Sequence, residues 1–259
     1  MRVGRSFDEN LKEAVQLIKK ASDKDVNAVC LPEYFFTPNK FSSFSSSNYS
    51  KIYTKILDFL EGASKDYNLI LVGNILEESD GGYYNTCLIY ESGTLIGKQR
   101  KVHPTEREDQ FGLKRGDGFE IFKSKIGKLA VLVCADVLYP EAGRVLGLKG
   151  ADIVFNPVVS FYVENDVTKE ARTCLFVGRS YDNDYFLVKA GGVGKSPFGA
   201  KIVGRSLITA PWGVLASAMD EDKREVVIAN LDMDLLQKVR AENYSLRRRT
   251  KEAYRPLVE

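Results

Sequence analysis

Three side chains that can do chemistry stand at, or just after, strand-like runs of the sequence. Glu33 follows the run NAVCL, Lys101 follows a predicted hairpin, and Cys134 ends the run VLVC. Because residues beyond the carboxyl ends of strands converge on ligand sites in α/β proteins, we expect these three side chains to meet. A thiol beside a carboxylate and an ammonium can attack an amide carbonyl, so the trio indicates acyl transfer.

Proton transfer from Cys134 to Glu33 sets the main energetic demand on such a site. An ordinary thiol and an ordinary glutamate differ by ~4 pKa units, which costs on the order of 6 kcal/mol. Burial of Glu33 would raise its pKa and a Lys101 cation would favour the thiolate, so both effects reduce this cost. Each residue also has a structural alternative: a packed thiol, a charged turn and a solvated lysine.

The chain of 259 residues contains one histidine, His103. A zinc site built on several histidines of one chain is therefore excluded, and a papain-like mechanism would have to pair Cys134 with His103. The cysteines lie far apart without a CxxC pair, which is typical of reduced thiols in a cytoplasm. Three of them are interpreted as small packing residues: Cys30, Cys87 and Cys174.

Charge and hydropathy give no indication of a nucleic-acid or membrane partner. The net charge is +2, and the basic run LRRRTK is interpreted as a solvated or interface-forming tail because no aromatic residues interrupt it. No apolar run reaches the length of a membrane span, and no signal-peptide pattern follows Met1. The expected partner is a small-molecule substrate.

Apolar periodicity predicts alternating helices and strands, as in an α/β protein with a mixed sheet or sheets. Helices are predicted over residues 8–20, with Asp8 as the cap, and over 51–66, 140–148 and 165–181, with a last one near the C-terminus. Strands are predicted over residues 27–31, 69–72, 86–90, 95–98, 119–122, 129–134, 152–155, 185–190, 205–209, 214–217 and 226–230. Gly150 is predicted to cap a helix, and residues 41–50 and 101–118 are predicted as loops.

The ordered set LPE, KVH and CADVLYPE resembles the nitrilase superfamily of carbon–nitrogen hydrolases, whose active site is a glutamate, a lysine and a cysteine. Other phrases carry the same resemblance: LVGN, YNTCLIYESGTLIGKQRK, GADIVFNP, GRSLITAPWGVL and LDMDLL. The resemblance implies a four-layer αββα sandwich, one domain over residues 1–259, no metal or cofactor, and a homodimer or larger homo-oligomer. The family's first strand is expected to be missing or truncated, because the chain reaches its first helix almost at once.

By this resemblance, Glu33, Lys101 and Cys134 are the catalytic residues. Glu33 accepts the Cys134 proton, and the sulfur attacks the substrate carbon to form a thioester that water then hydrolyses. The Lys101 ammonium and the backbone N–H of Ala135 stabilise the oxyanion.

The resemblance also implies residues that position the substrate. Many members carry a second glutamate after the lysine, and Glu108 is expected to fill this role, with Glu106 as the alternative. His103 is expected to orient the loop that carries the lysine. Three further residues are expected to contact the substrate: Tyr34, Val137 and Leu138.

The residues after Cys134 bear on the substrate. Members that act on N-carbamoyl-D-amino acids have two arginines where this chain has Val137 and Leu138, so no acidic group is expected to bind there. Nitrilases have Trp-Glu after the cysteine, whereas this chain has Ala135 and Asp136, which favours an amide over a nitrile. An N-carbamoyl amine hydrolase, a nitrilase and an inactive scaffold or binding protein remain alternatives. The segments 41–50 and 161–167 are expected to set specificity.

Overall fold

The computed structural model describes residues 1–4, 6–37, 46–196 and 199–257. Within these ranges the α-helices are α1 (Phe7–Ser22), α2 (Ser46–Asp66), α3 (Glu106–Gln110), α4 (Pro140–Lys149), α5 (Lys169–Asn183) and α6 (Met233–Glu242). The strands are β1 (Arg2–Val3), β2 (Ala28–Cys30), β3 (Ile70–Ser79), β4 (Gly82–Glu91), β5 (Thr94–Arg100), β6 (Leu113–Lys114), β7 (Phe122–Ser124), β8 (Gly127–Val131), β9 (Ile153–Val158), β10 (Ser160–Phe161), β11 (Phe186–Gly191), β12 (Val193–Lys195), β13 (Lys201–Val203), β14 (Ser206–Ala210) and β15 (Gly213–Ala218). Short 3-10 helices span Cys134–Leu138 and Lys251–Leu257.

Two large sheets dominate the architecture. The first has the order β2-β3-β4-β5, with β6 paired to β4, and the second has the order β15-β14-β11-β9-β8-β7. Strands β8, β9 and β11 run parallel at the centre of the second sheet. A small sheet, β1-β12-β13-β10, joins the start of the chain to the segment that follows β11.

Three clusters of buried side chains show how the layers stack. One packs α1 and α2 on the outer face of the first sheet, through residues such as Ile18 and Leu60. A second fills the space between the sheets and includes Val72 of β3 and Val131 of β8. The third packs α4 and α5 on the outer face of the second sheet, through Leu146 among others. The layers therefore follow the order αββα, which confirms the four-layer sandwich.

The helix ends follow local sequence signals. Helix α1 begins with a capping box in which Ser6, rather than the predicted Asp8, accepts a hydrogen bond from the Glu9 backbone N–H. Helix α4 has Pro140 in its first turn and ends at Gly150, whose φ of 78° is in the left-handed region. The predicted cap at Gly150 is confirmed.

Several predicted boundaries were wrong. Helix α2 begins at Ser46 instead of residue 51, and the rest of the predicted loop, residues 41–45, lies outside the described residues. The predicted loop over residues 101–118 contains α3 and β6, and α5 begins at Lys169 instead of residue 165. Residues 226–230 form no strand, because an apolar alternating run becomes a strand only when a neighbouring strand pairs with it.

The start of the chain contributes only the two-residue strand β1, which pairs in parallel with β12. Strand β2 is at an edge of the first sheet. In the part of the chain that the structure describes, no helix combines the length and hydropathy that crossing a bilayer requires.

Candidate active site

The fold brings Glu33, Lys101 and Cys134 together. Glu33 lies shortly after β2, Lys101 directly follows β5, and Cys134 begins the 3-10 helix that comes after β8. The two sheets therefore both supply side chains to one site. Glu33 and Lys101 are each only 2% exposed, so the site holds ionisable groups away from bulk water.

Lys101 is the electrostatic centre of this site. Its Nζ lies 3.0 Å from Glu33 Oε1 and 2.7 Å from Glu108 Oε2. Glu108 is also held by Thr105, whose backbone N–H and hydroxyl donate to Oε2 at 2.8 and 2.9 Å. A buried cation between two carboxylates is fixed in position and stays charged.

A pair of asparagines, which sequence reasoning missed, orders the carboxylates. The Asn85 amide nitrogen lies 2.8 Å from Glu33 Oε1 and 2.7 Å from Glu108 Oε1. Asn74 in turn donates to the Asn85 side-chain oxygen, and its own oxygen accepts from the Tyr34 backbone N–H at 2.9 Å. Both asparagines lie inside strands, and an asparagine in a strand carries no chemical signal unless the strand register is known.

The turn that carries Cys134 has a strained backbone, which hydrogen bonds from surrounding residues hold in place. Cys134 has φ of 47°, in the left-handed region, which costs a residue with a side chain about 1–2 kcal/mol. The buried Asp136 accepts from the Val133 backbone N–H at 3.1 Å, and the Asn156 amide donates to the Cys134 carbonyl at 3.2 Å. Arg179 of α5 donates to the carbonyls of the two residues that follow Asp136, at 3.0 and 3.1 Å. Strain with this support is typical of a residue held for function.

Around the sulfur, the strand-end backbone and Glu33 provide the contacts. Cys134 Sγ lies 3.8 Å from the Val159 carbonyl oxygen, and the Val159 N–H donates to Glu33 Oε2 at 3.0 Å. The Glu33 carboxylate lies close enough to the Cys134 thiol for each group to shift the pKa of the other. Among the described residues, no acceptor takes a hydrogen bond from the Ala135 backbone N–H, which follows the sulfur-bearing residue directly.

Burial and charge move the pKa values of the site in different directions. Loss of solvation raises the pKa of Glu33, although Lys101 opposes this shift. Burial also raises the pKa of Cys134, against the smaller effect of Lys101. For Lys101, burial disfavours the charge, but Glu33, Cys134 and Glu108 outweigh it and raise the pKa. Burial likewise acts to raise the pKa of Glu108, but Lys101 and the hydrogen bonds outweigh it, so the pKa is lowered.

The raised pKa values lead to a prediction about the resting site. Because burial outweighs the effect of Lys101 on Cys134, the sulfur is expected to remain a thiol between about pH 6 and 8. The comparison uses Cys174→Ala as the background, because Cys174 is exposed and would contribute its own thiolate signal. Over this pH range, thiolate absorbance should not differ between Cys174→Ala and Cys174→Ala/Cys134→Ala. A thiolate signal that belongs to Cys134 and titrates below about pH 7 would contradict this prediction.

His103 has a structural contact of its own. Its Nδ1 lies 2.8 Å from Asp136 Oδ1, its backbone N–H donates to the same oxygen at 2.8 Å, and its ring stacks on Tyr139 at 3.7 Å between centroids. These contacts tie the segment after Lys101 to the turn after Cys134. The histidine is thus committed to Asp136, which agrees with the predicted orienting role and does not support a Cys134–His103 pair.

The other predicted site residues fall into two groups. Glu108 is buried beside Lys101 whereas Glu106 is exposed, and the Tyr34 hydroxyl donates to Glu108 Oε1 at 2.7 Å. Val137 instead packs in the cluster beneath α4 and α5, and Leu138 is 59% exposed. Substrate contact by Tyr34, Val137 and Leu138 therefore stays a prediction.

Comparison with known proteins identifies the class and then the family. The four-layer αββα fold is that of a carbon-nitrogen hydrolase: a carbon-nitrogen hydrolase from Helicobacter pylori G27 matches it with a TM-score of 0.90 and 25% identity, over 100% of this chain and 96% of that one. The family model for carbon-nitrogen hydrolases matches residues 3–241. The chain therefore belongs to the carbon-nitrogen hydrolase family, the nitrilase superfamily.

Two relatives illustrate the range of activities in this family. A nitrilase of Pyrococcus abyssi is 32% identical over 90% of this chain and 87% of its own length. The omega-amidase NIT2 of Xenopus tropicalis is 29% identical over 95% of this chain and 91% of its own length. The relatives are hydrolases of carbon–nitrogen bonds, with both amidases and nitrilases among them.

Proposed function

We propose that this protein hydrolyses the C–N bond of small linear amides through a thioester on Cys134. The observation that carries the proposal is the buried Lys101 between Glu33 and Glu108, with the Cys134 thiol close enough to Glu33 for each group to shift the pKa of the other. This arrangement supplies a nucleophile, a proton acceptor and a fixed cation within one site. It does so without a histidine, since His103 is bonded to Asp136.

Acylation begins with proton transfer from the Cys134 thiol to the Glu33 carboxylate. The sulfur bonds to the amide carbon, and the carbonyl π electrons move to oxygen. Lys101 and the Ala135 N–H stabilise the oxyanion, which fits the absence of another hydrogen-bond acceptor for that N–H among the described residues. Glu33 then returns its proton to the substrate nitrogen, the C–N bond breaks, and ammonia or an amine leaves a thioester behind.

Deacylation uses the same carboxylate. Glu33 takes a proton from water as the water oxygen bonds to the thioester carbon. The C–S bond breaks, the acid leaves, and the proton on Glu33 returns to the Cys134 sulfur. The raised pKa of Glu33 suits a group that must accept and donate a proton in each half of the reaction.

An amide is favoured over a nitrile by the residues after the nucleophile. Ala135 and Asp136 stand where nitrilases carry Trp-Glu. The Asp136 carboxylate accepts hydrogen bonds from the backbone N–H groups of His103 and Val133. This carboxylate is therefore a structural element of the turn, and chemistry at the carbonyl depends on Glu33 and Lys101. N-carbamoyl amines stay within reach of the same reaction, because they too present a carbonyl bonded to nitrogen.

The proposal is tested by ammonia release from a panel of short amides, N-carbamoyl amines and nitriles. We expect release from short amides by the wild type and none by Cys134→Ala. The matched control is Cys174→Ala, which removes an exposed thiol of α5 and should keep activity. No release from any compound in the panel would contradict the proposal and favour an inactive scaffold. Release of ammonia from nitriles alone would favour a nitrilase.

A cytoplasmic location and self-association remain predictions. They rest on the widely spaced cysteines and on the family resemblance. Light scattering on the purified protein would show whether it forms the expected homodimer or larger homo-oligomer.

A further inference from the structure

Arg179 is a residue of α5 whose guanidinium reaches the turn that carries Cys134. Its Nε donates to the Val137 carbonyl at 3.0 Å, and its Nη2 donates to the Leu138 carbonyl at 3.1 Å. Both hydrogen bonds that this guanidinium donates in the described structure therefore go to one short stretch of backbone. A guanidinium holds two acceptors in a fixed relative position, because its donors form a rigid planar fork.

The stretch that Arg179 binds is one end of the 3-10 helix Cys134–Leu138. Backbone hydrogen bonds connect the two ends of this helix through Asp136, whose N–H donates to the Val133 carbonyl at 3.1 Å and whose carbonyl accepts from the Tyr139 N–H at 3.3 Å. The first two residues of the helix supply the sulfur and the backbone N–H that the proposed mechanism uses. A displacement of the end that the guanidinium holds would therefore move the end that carries the sulfur.

The backbone of Cys134 makes this helix dependent on support from outside. A φ of 47° is unfavourable for a residue with a side chain, and it persists only where the surrounding structure holds it. Near the start of the helix, Asp136 accepts from the Val133 N–H at 3.1 Å and Asn156 donates to the Cys134 carbonyl at 3.2 Å. Arg179 supports the opposite end, so the strained residue lies in a segment that is held on both sides.

Close packing of α4 on α5 fixes the position of Arg179. A Cβ on Gly143 of α4 would lie 3.2 Å from Arg179 Cδ, 3.1 Å from the Asn183 amide nitrogen and 2.9 Å from the Tyr185 hydroxyl oxygen. Contacts this short force the neighbouring atoms to move, since a packed interior has no space to spare. A methyl group at position 143 would therefore displace Arg179 without changing its chemistry.

We propose that Arg179 is a positioning residue that holds the 3-10 helix so that the Cys134 sulfur and the Ala135 N–H face the substrate carbonyl. The role rests on the proposed function, since it concerns the same reaction. Arg179 acts through the backbone of the turn and not by contact with the substrate. Because a misplacement of about 1 Å can reduce the rate about 100-fold, loss of this support should lower kcat more than it weakens substrate binding.

The test compares kcat and KM for one short amide in the wild type, Arg179→Met and Arg144→Met. Arg144 is the matched control, because it is also a partly buried helix arginine that donates to a backbone carbonyl, that of Asp182 at 2.7 Å, but this carbonyl belongs to α5 and not to the turn. We expect kcat of Arg179→Met to fall about 10–100-fold with KM within about threefold of the wild type. Both constants of Arg144→Met should stay within about threefold.

Rescue by free guanidinium separates positioning from general stability. Addition of guanidinium chloride at non-denaturing concentration should raise the kcat of Arg179→Ala about fivefold or more, because the free ion can bind the two carbonyls in the vacated space. Sodium chloride at equal concentration should have no such effect, and neither salt should raise the kcat of Arg144→Ala. All rates are measured well below the Tm of each variant, with circular dichroism to establish the folded fraction.

A second pair of variants tests the same contact without removing the arginine. Gly143→Ala should lower kcat about threefold or more, because the added methyl group displaces Arg179. Gly178→Ala is the matched control, since Gly178 is also a helix glycine but a Cβ there would have no atom within 4 Å. Its kcat should stay at the wild-type value. This pair decides the question if Arg179→Met does not fold.

Each adverse result points to a different failure. A lowered Tm with unchanged kcat in Arg179→Met would show that Arg179 only stabilises the packing of α5, and this result overturns its positioning role while the proposed function stands. Equal losses in Arg144→Met, or no rescue by guanidinium, overturn it as well. If the wild type hydrolyses no amide, the proposed function fails, and alkylation of Cys134 by iodoacetamide, mapped by mass spectrometry, decides the role of Arg179. Slower alkylation in Arg179→Met alone supports positioning, and equal rates in the wild type and both variants overturn it.

Discussion

Substitution of Glu33 by glutamine is expected to abolish turnover while the fold is retained. An amide cannot accept the Cys134 proton or return it to the leaving nitrogen, so both half-reactions lose their acid–base group. General acid–base groups contribute roughly 10²–10⁴-fold, and one that serves both halves should be at the upper end of this range. Because burial raises the pKa of Glu33, replacing its carboxylate by a neutral isostere removes a desolvated charge and should preserve the circular dichroism spectrum.

Glu77→Gln is the matched control for this prediction. Glu77 is also a buried glutamate, but it pairs with Lys98 and Arg100 on the first sheet, and although burial opposes the shift, these hydrogen bonds lower its pKa to about 2. Its substitution should reduce stability and leave kcat near the wild-type value. Steady-state rates of the two variants on one amide make the comparison. Retained turnover in Glu33→Gln would shift the proton-accepting role to another group, with His103 the first candidate.

Substitution of Lys101 by methionine is expected to remove activity and to destabilise the fold. The change leaves Glu33 and Glu108 buried next to each other without their shared cation. Breaking a buried ion pair from one side costs about 3–5 kcal/mol, because the remaining charge is uncompensated. By contrast, Lys19→Met removes an exposed pair with Asp23 and should change the free energy of unfolding by no more than about 0.5 kcal/mol.

The loss of folding stability in Lys101→Met should become larger as the pH rises. Without the cation, the two buried carboxyls have folded-state pKa values above their unfolded values, and protonation stabilises the folded form. Stability is then greatest below the unfolded pKa of about 4.3 and is lost as the pH rises through the raised folded values. Urea unfolding between pH 4 and 8 measures the difference from the wild type, which should widen as pH increases. A constant difference would show that Lys101 acts through packing instead of charge.

The meeting of Glu33, Lys101 and Cys134 could be predicted from sequence because each residue stands beside a strand end and carries a distinctive chemical group. Glu108 was harder to assign, yet the sequence holds the deciding signal: Thr105 and Glu108 have the spacing of a capping box, which the structure shows at the start of α3. Glu106, two residues before Glu108, lies outside this pattern and is exposed. The capping box therefore distinguishes Glu108, which is buried beside Lys101, from Glu106.

Other features of the site depend on tertiary pairing and could not be read from local pattern. Asn85 meets Glu33 and Glu108 because β3, β4 and β5 pair in a particular register, which brings distant residues side by side. Lys189 stands in an apolar run that predicts a strand, but the run does not show that Lys189 lies in register with Asn156 of β9. The segment 226–230 shows the opposite case, where a strand-like pattern finds no pairing neighbour.

The most direct test of the central claim is intact-protein mass spectrometry during turnover. Wild-type protein is mixed with a short amide, quenched in acid within the steady state, and compared with Cys134→Ala treated in the same way. We predict that the wild type gains the mass of the acyl group less one hydrogen, that peptide mapping places it on Cys134, and that Cys134→Ala gains nothing. Hydrolysis with the adduct on another residue, or an equal adduct in Cys134→Ala, would contradict Cys134 as the nucleophile.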